Sequence, residues 1–473
     1  MYRSFARSWS RTRRRLPPSR GFATVATFAG LAGPAYYFST KGRIHLDTNA
    51  NEEPSRNISV TVAYPPDGLS EDEFKLRQWE YSAEYNHDIL QICRWDFNTI
   101  PSDISPDEQS AFRLWHTDKD QWTYFGIFDG LIGPDTSYWL YNELMPTIAR
   151  NIGDIYTSMK HAATELPCVS QIEQAFKDAF EAVDTALVHG TAQTALTTPI
   201  RDDAVLALAP AYSGSCATVT SYNARTRLLH LGHVGHSRAV LGRRVARSDG
   251  HGRYIYEARQ LTTDHISLAT AEEPRPCAQS PGERVVQGDQ RPELSVSRAF
   301  GLGRYKWSTD MQKQLAEKRL LNLPLDEPQP PSPVLTATPD TSTIKTEPGD
   351  FLIVASEGLW NLLTSGEAVG LVGWWLESRD FDPHGSWRNT RRQPQLPHDL
   401  PVAPDSHRTI PRSRSPDMEP RFVDMDENVA THLLRNALGG ADRRRFLSFM
   451  NIEHEEHPAV RRDDLSIFVI FFS

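Results

Sequence analysis

The run WTYFGIF at residues 122–128, followed at once by Asp129-Gly130, decides how this chain is read. Aromatic and β-branched residues fill it, so it predicts a strand, and the Asp-Gly pair ends that strand on a carboxylate. Other acids stand at comparable strand or loop ends far away in sequence: Asp107-Glu108, Glu357-Gly358 after FLIVA (351–355), and Asp463-Asp464 before LSIFVIFF (465–472). Hard divalent cations such as Mg²⁺ or Mn²⁺ take oxygen ligands and keep several waters. Carboxylates converging from separate strands therefore suit a two-metal hydrolytic site. Any one of them alone reads better as a solvated acid.

Outward from this run the chain alternates strands and helices. Residues 137–152 carry apolar positions at helical spacing, and so do residues 171–187, with Ile172, Phe176, Phe180, Val183 and Leu187. Ala430, Leu433, Leu434, Ala437 and Leu438 form another helical stripe just before the last strand. CATVTSY (216–222) and LLHLGHVGHSRAVL (228–241) add strand-like runs. Strands and helices mixed without βαβ regularity predict an α/β chain with two antiparallel sheets covered by helices. Residues 378–425 are rich in Pro, Arg, Ser and His without an apolar period, and read as a mobile, low-complexity insertion in a domain spanning 46–473. A shorter Pro-rich loop covers 323–333.

The net charge of −9 hides an asymmetry: residues 1–46 hold nine Lys/Arg and no acid, which leaves 42 basic against 60 acidic residues beyond them. So acidic a body is a poor nucleic-acid binder. Residues 1–45, with arginines at 3, 7, 11, 13, 14, 15 and 20, have the composition of a mitochondrial transit peptide. Residues 21–40 are uncharged and just long enough to span a bilayer; an inner-membrane anchor and a cleaved presequence tail both stay open. The four cysteines, Cys93, Cys168, Cys216 and Cys277, lack ligand-like spacing and read as small buried residues of a reducing compartment. His230, His233 and His236 invite a zinc reading, but on one strand 230 and 236 lie about 20 Å apart and 233 points the other way. His230 and His233 therefore read as core or surface histidines.

The order and context of these segments carry more than each does alone. FGIFDGLIG (125–133), SGSCATV (213–219), HVGHSRAVL (233–241), LTTDH (261–265), LSVSRAFG (294–301), FLIVASEGLWNLL (351–363) and RRDDLSIFVIFF (461–472) resemble, in order, the metal-dependent protein phosphatase family, also called protein phosphatase 2C. LRQWEYS (76–82), DENVATHLLRNALG (426–439) and the RDDLS ending look most like its mitochondrial pyruvate dehydrogenase phosphatases. The resemblance implies an α-β-β-α sandwich with two Mg²⁺ or Mn²⁺ ions at one end of the central antiparallel sheets, and a bridging water that attacks phosphorus in line. It also implies the ligands: Asp129 between the ions, the carbonyl of Gly130, Asp463, Glu357, and the pair Asp107 and Glu108 in swapped order. His236 would stand at the edge of that site.

The departures bear on chemistry. Leu131 stands where the family has the histidine that protonates the leaving oxygen, so no catalytic side chain is assigned beyond the metal-bound water; losing a general acid costs on the order of 10²- to 10⁴-fold. Glu357 and His236 replace aspartates, Leu302 replaces the aspartate after Ser-Arg-Ala-Phe-Gly, and Asn361 replaces an acid. Two readings follow. One is an active phosphatase for phospho-Ser/Thr on a mitochondrial phosphoprotein, with the pyruvate dehydrogenase complex as the family-based partner. The other is a pseudophosphatase, a binding or assembly factor. A structural subunit of an inner-membrane complex, held through 21–40, is a weaker third.

Overall fold

The computed structural model describes residues 68–84, 91–102, 107–116, 120–159, 166–246, 254–266, 296–321, 335–379, 393–404, 411, 419–450 and 463–473, with strand pieces at 27–28, 36–38, 44–46 and 58–62. The transit segment 1–45, the uncharged stretch 21–40, the loop 323–333 and Cys277 lie outside these residues, apart from strand pieces. Among the described residues no helix is long and apolar enough to cross a membrane.

Twelve strands carry the architecture: β1 (Ile58–Val62), β2 (Tyr81–Glu84), β3 (Ile92–Ile100), β4 (Gln109–His116), β5 (Gln121–Gly130), β6 (Gly214–Asn223), β7 (Leu228–Val234), β8 (Arg238–Ala246), β9 (Tyr254–Gln260), β10 (Asp340–Lys345), β11 (Phe351–Ala355) and β12 (Leu465–Phe472). One sheet runs β1-β2-β3-β12-β11-β8-β9 and the other β10-β7-β6-β5-β4. Their pairings are antiparallel, as expected.

Side-chain alternation builds the layers. Leu352 and Val354 of β11, and Phe468, Ile470 and Phe472 of β12, meet Phe125 and Ile127 of β5 in a core between the sheets. The opposite parity, Phe351, Ile353, Ile467 and Val469, packs outward against the helices Ser365–Ser378 and Val429–Leu438. On the second sheet Trp122, Tyr124 and Phe128 pack outward against the helices Asp135–Ser158 and Val169–Thr185. The result is the expected α-β-β-α sandwich, because a strand with two buried faces needs both a facing sheet and covering helices. Gly126 falls on the outer parity of β5, where a Cβ would lie 2.4 Å from the Met145 methyl. The helix therefore lies close on the strand that leads to Asp129.

Two stretches of the expected mobile insertion are packed instead. Leu400 and Phe422 are buried in the core beneath the Ser365–Ser378 helix, Val402 bridges to Tyr256, and Gln395 pairs with Phe422. Scattered single apolar anchors hold these stretches, so no period in the sequence announces them. Cys168 also departs from expectation: it is exposed and Cys93 half-buried, while Cys216 is buried, and all three are free.

Candidate metal centre

Strand parity aims Asp129. It follows Phe125 and Ile127, which face the inter-sheet core, so its carboxylate lies at the end of that core. Opposite Asp129, β6 places Cys216. The next residue must be glycine for space: a Cβ on Gly130 would lie 2.6 Å from the carbonyl oxygen of Asp107. That contact brings the Asp107-Glu108 segment onto the Asp129 strand end, and the Ser137 hydroxyl donates to the same carbonyl at 2.5 Å.

Glu357 opens a short helix directly after β11. A Cβ on Gly358 would lie 2.3 Å from the Asp464 carbonyl, so this turn presses on the start of β12. Of the adjacent acids there, Asp464 turns its carboxylate to the Asp107-Glu108 segment: it accepts from the N–H groups of Asp107 at 2.8 Å and Glu108 at 3.0 Å, and from Ser102. Asp463 Oδ1 instead accepts from the Asp464 N–H next to it, at 3.0 Å. Asp464 is thus a clamp that hangs the acidic pair on β12, a role that its sequence neighbourhood does not reveal.

Glu108, Asp129, Glu357 and Asp463 thereby come together, with Asp107 beside them. Burial pushes the Asp129 carboxyl well above its ordinary range, and the charges of Glu108, Asp463 and Glu357 push it further. Glu108 is raised in the same way, by burial and then by Asp464, although Ser466 donates to its Oε2. Asp463, exposed at the rim of the group, is raised to about 6 by partial desolvation and then by Glu357. Asp129 Oδ2 and Glu108 Oε1 are buried without a hydrogen-bond partner.

Like charges brought together, with buried orphaned oxygens, are relieved either by protonation or by a cation. The donors are oxygen-rich, which suits Mg²⁺ or Mn²⁺. Among the described residues no three His, Cys, Asp or Glu side chains stand close enough together to hold an ion as they are.

The departures meet in pairs. Leu131 packs against an apolar cluster containing Cys216, Val296, Ala299 and Leu302, so Leu131 and Leu302 share one cluster behind Asp129. His236 reaches into the carboxylates, with Nε2 3.1 Å from Glu357 Oε2 and Nδ1 4.0 Å from Asp129 Oδ2. A single strand over 228–241 does not form, because the chain turns at Gly235, φ +108. Even so the three histidines go to separate places: His230 to Thr343, His233 to Thr218, and His236 to the acids. His230 and His233 are core histidines.

A two-sheet sandwich with helices on both outer faces and clustered acids at one end of its core defines the class of protein. The family profile described as Protein phosphatase 2C matches residues 87–393, and the chain belongs to that family. It is a protein serine/threonine phosphatase by family, a hydrolase. A protein phosphatase 2C homolog of Schizosaccharomyces pombe is 32% identical over 458 residues, covering 95% of each chain. The mitochondrial pyruvate dehydrogenase (acetyl-transferring) phosphatase 1 of Saccharomyces cerevisiae is 28% identical, over 98% of this chain and 87% of that protein. Among solved structures, a serine-threonine phosphatase 2C from Toxoplasma gondii aligns at TM-score 0.44 and 17% identity, over 80% of this chain and 95% of that one.

Proposed function

We propose that this phosphatase is metal-dependent and removes phosphate from phospho-Ser or phospho-Thr on a mitochondrial protein, with the pyruvate dehydrogenase complex as the partner that its relatives suggest. One observation carries the reading: same-sign carboxylates gather at one end of the sheets, Asp129 and Glu108 among them buried, and Asp129 Oδ2 and Glu108 Oε1 have no hydrogen-bond partner. Divalent ions bound there would supply positive charge to a phosphoryl oxygen and acidify water. Asp129, Glu357 and Asp463, with Glu108, Asp107 and the Gly130 carbonyl, are the residues to hold them.

The chain's own residues do the rest. Asp464 fixes the acidic pair through backbone N–H groups, so those carboxylates need little rearrangement when the site fills. Leu131 and its apolar cluster cover one side of Asp129 and keep bulk water off it. Leu131 cannot hand a proton to the leaving oxygen, so turnover is expected to be slow by about 10²-fold or more relative to a site with a general acid. The arginine-rich start and the relatives named above support a mitochondrial address.

The test is hydrolysis of a phosphoserine peptide by the full chain with Mn²⁺ or Mg²⁺, beside Asp129→Asn. Metal-dependent release of phosphate that the variant loses supports the reading. Equal inactivity of both proteins, with no rise in melting temperature on adding metal, overturns it in favour of a binding role.

A further inference from the structure

We infer that His236 is a nitrogen ligand of this metal centre and tilts it toward Mn²⁺, which accepts imidazole more readily, over Mg²⁺; the inference rests on the metal-dependent reading above. Its first support is position. The imidazole is buried, Nε2 lies 3.1 Å from Glu357 Oε2, and Nδ1 lies 4.0 Å from Asp129 Oδ2, an oxygen with no hydrogen-bond partner. The longer separation is beyond hydrogen-bonding range. It is within about 4.2 Å, the most that two donors on one ion with bonds of about 2.1 Å can be apart.

Its second support is the mount behind the ring. The backbone N–H of Gly235 donates to His265 Nδ1 at 3.1 Å, and the Gly235 carbonyl accepts from the His265 N–H at 2.7 Å. Because His265 Nδ1 accepts, its ring proton sits on Nε2, which donates to Asp340 Oδ2 at 2.9 Å. Asp340 is held in turn by Arg298 at 2.7 Å. His233 adds a contact, Nε2 to the Gly235 carbonyl at 3.1 Å, while its Nδ1 meets the Thr218 hydroxyl at 2.9 Å.

Gly235 admits no side chain, since a Cβ would lie 2.2 Å from Cys216 Sγ. Both polar groups of the residue before His236 are therefore fixed. The site loses the freedom to swing this ring away, and a preset donor is what selects among ions.

Its third support is donor chemistry. Imidazole in an otherwise carboxylate set removes one negative charge and adds a nitrogen. Mg²⁺ keeps to oxygen ligands and water, whereas the first-row divalent metals accept nitrogen, Mn²⁺ the most weakly of them. The competing role for His236 is a protonated ring that neutralises Glu357 and Asp129 in place of an ion.

The experiment loads the full chain with Mn²⁺, reads pulsed EPR for ¹⁴N coupling, and titrates Mn²⁺ and Mg²⁺ by calorimetry. Directly bound ¹⁴N in the wild type, lost in His236→Ala, together with a Mn²⁺-to-Mg²⁺ affinity ratio that drops about tenfold in His236→Asp, is the expected result. Bound Mn²⁺ without ¹⁴N coupling, or an unchanged ratio in His236→Asp, overturns the ligand role and leaves the metal-dependent reading standing. No Mn²⁺ binding by the wild type overturns both.

Discussion

The outer face of β3 and the sheet end around Asp129 both bury carboxylates, but the first sets arginines directly on them while Asp129 has acids and a histidine for neighbours. On β3, Asp96 takes both branches of Arg94 at 2.7 and 2.8 Å and the Val429 N–H at 2.7 Å. Next to it Asp426 takes Arg435 at 2.7 and 2.8 Å and Arg77 at 2.6 Å, and Arg435 also forks onto Glu73. Burial pushes the Asp426 carboxyl up, and Arg435 and Arg77 more than offset it, so it stays below its ordinary range. Asp129 receives the same push from burial and a second push from its neighbours. A fold that buries charge offsets part of the desolvation cost when it brings the counter-charge along; where it does not, the group is left to protonate or to take up a cation.

That contrast can be broken from either side. Arg435→Met removes one of two cations from a buried network and should cost about 3 kcal/mol in urea unfolding, because Arg77 alone is left to answer Asp426 and Glu73. Within the same paired region, His432 is fully buried beside Asp424, Asp426 and Arg379, and burial lowers its pKa to about 4. The unfolded chain takes up that proton near 6.5 and the folded one only near 4. The stability it contributes is therefore complete above pH 6.5 and lost as pH falls toward 4, a shift corresponding to about 3 kcal/mol. His432→Leu should flatten that part of the pH–stability curve, and an unchanged slope would show that the ring is not held neutral.

At the Asp129 end the signs reverse. Mn²⁺ at about a hundred times its Kd should stabilise the wild type by about 2.7 kcal/mol. Asp129→Asn should abolish that response yet stabilise the metal-free protein by about 1 kcal/mol, since it removes one of several like charges. Destabilisation of the metal-free variant would mean that the cluster is already compensated from within. Smallest is the coupling between Leu131→His and Leu302→Asp: both break the same apolar cluster, so their combined cost should depart from the sum by about 0.5 kcal/mol or more in a double-mutant cycle.

Much of this was legible in the chain itself. The buried-strand runs FLIVA and LSIFVIFF, and the stripe through Ala430 and Leu438, led to two sheets covered by helices because apolar runs and helical spacing are local properties. The packed pieces around Leu400 and Phe422 were not legible, because single anchors leave no period. Nor was the division of labour between Asp463 and Asp464, which look alike in sequence.

The sequence by itself determined the layers, the strand ends that carry acids, and the family. The tertiary structure decided which of those acids face one another and what answers their charge. It turned Asp464 to backbone as a clamp, joined Leu131 to Leu302 across 171 positions, and set His236 against Glu357. The reason is physical: hydrophobic periodicity is fixed by the strand and helix repeats, but electrostatics act through distance and burial, and both exist only once the sheets have closed.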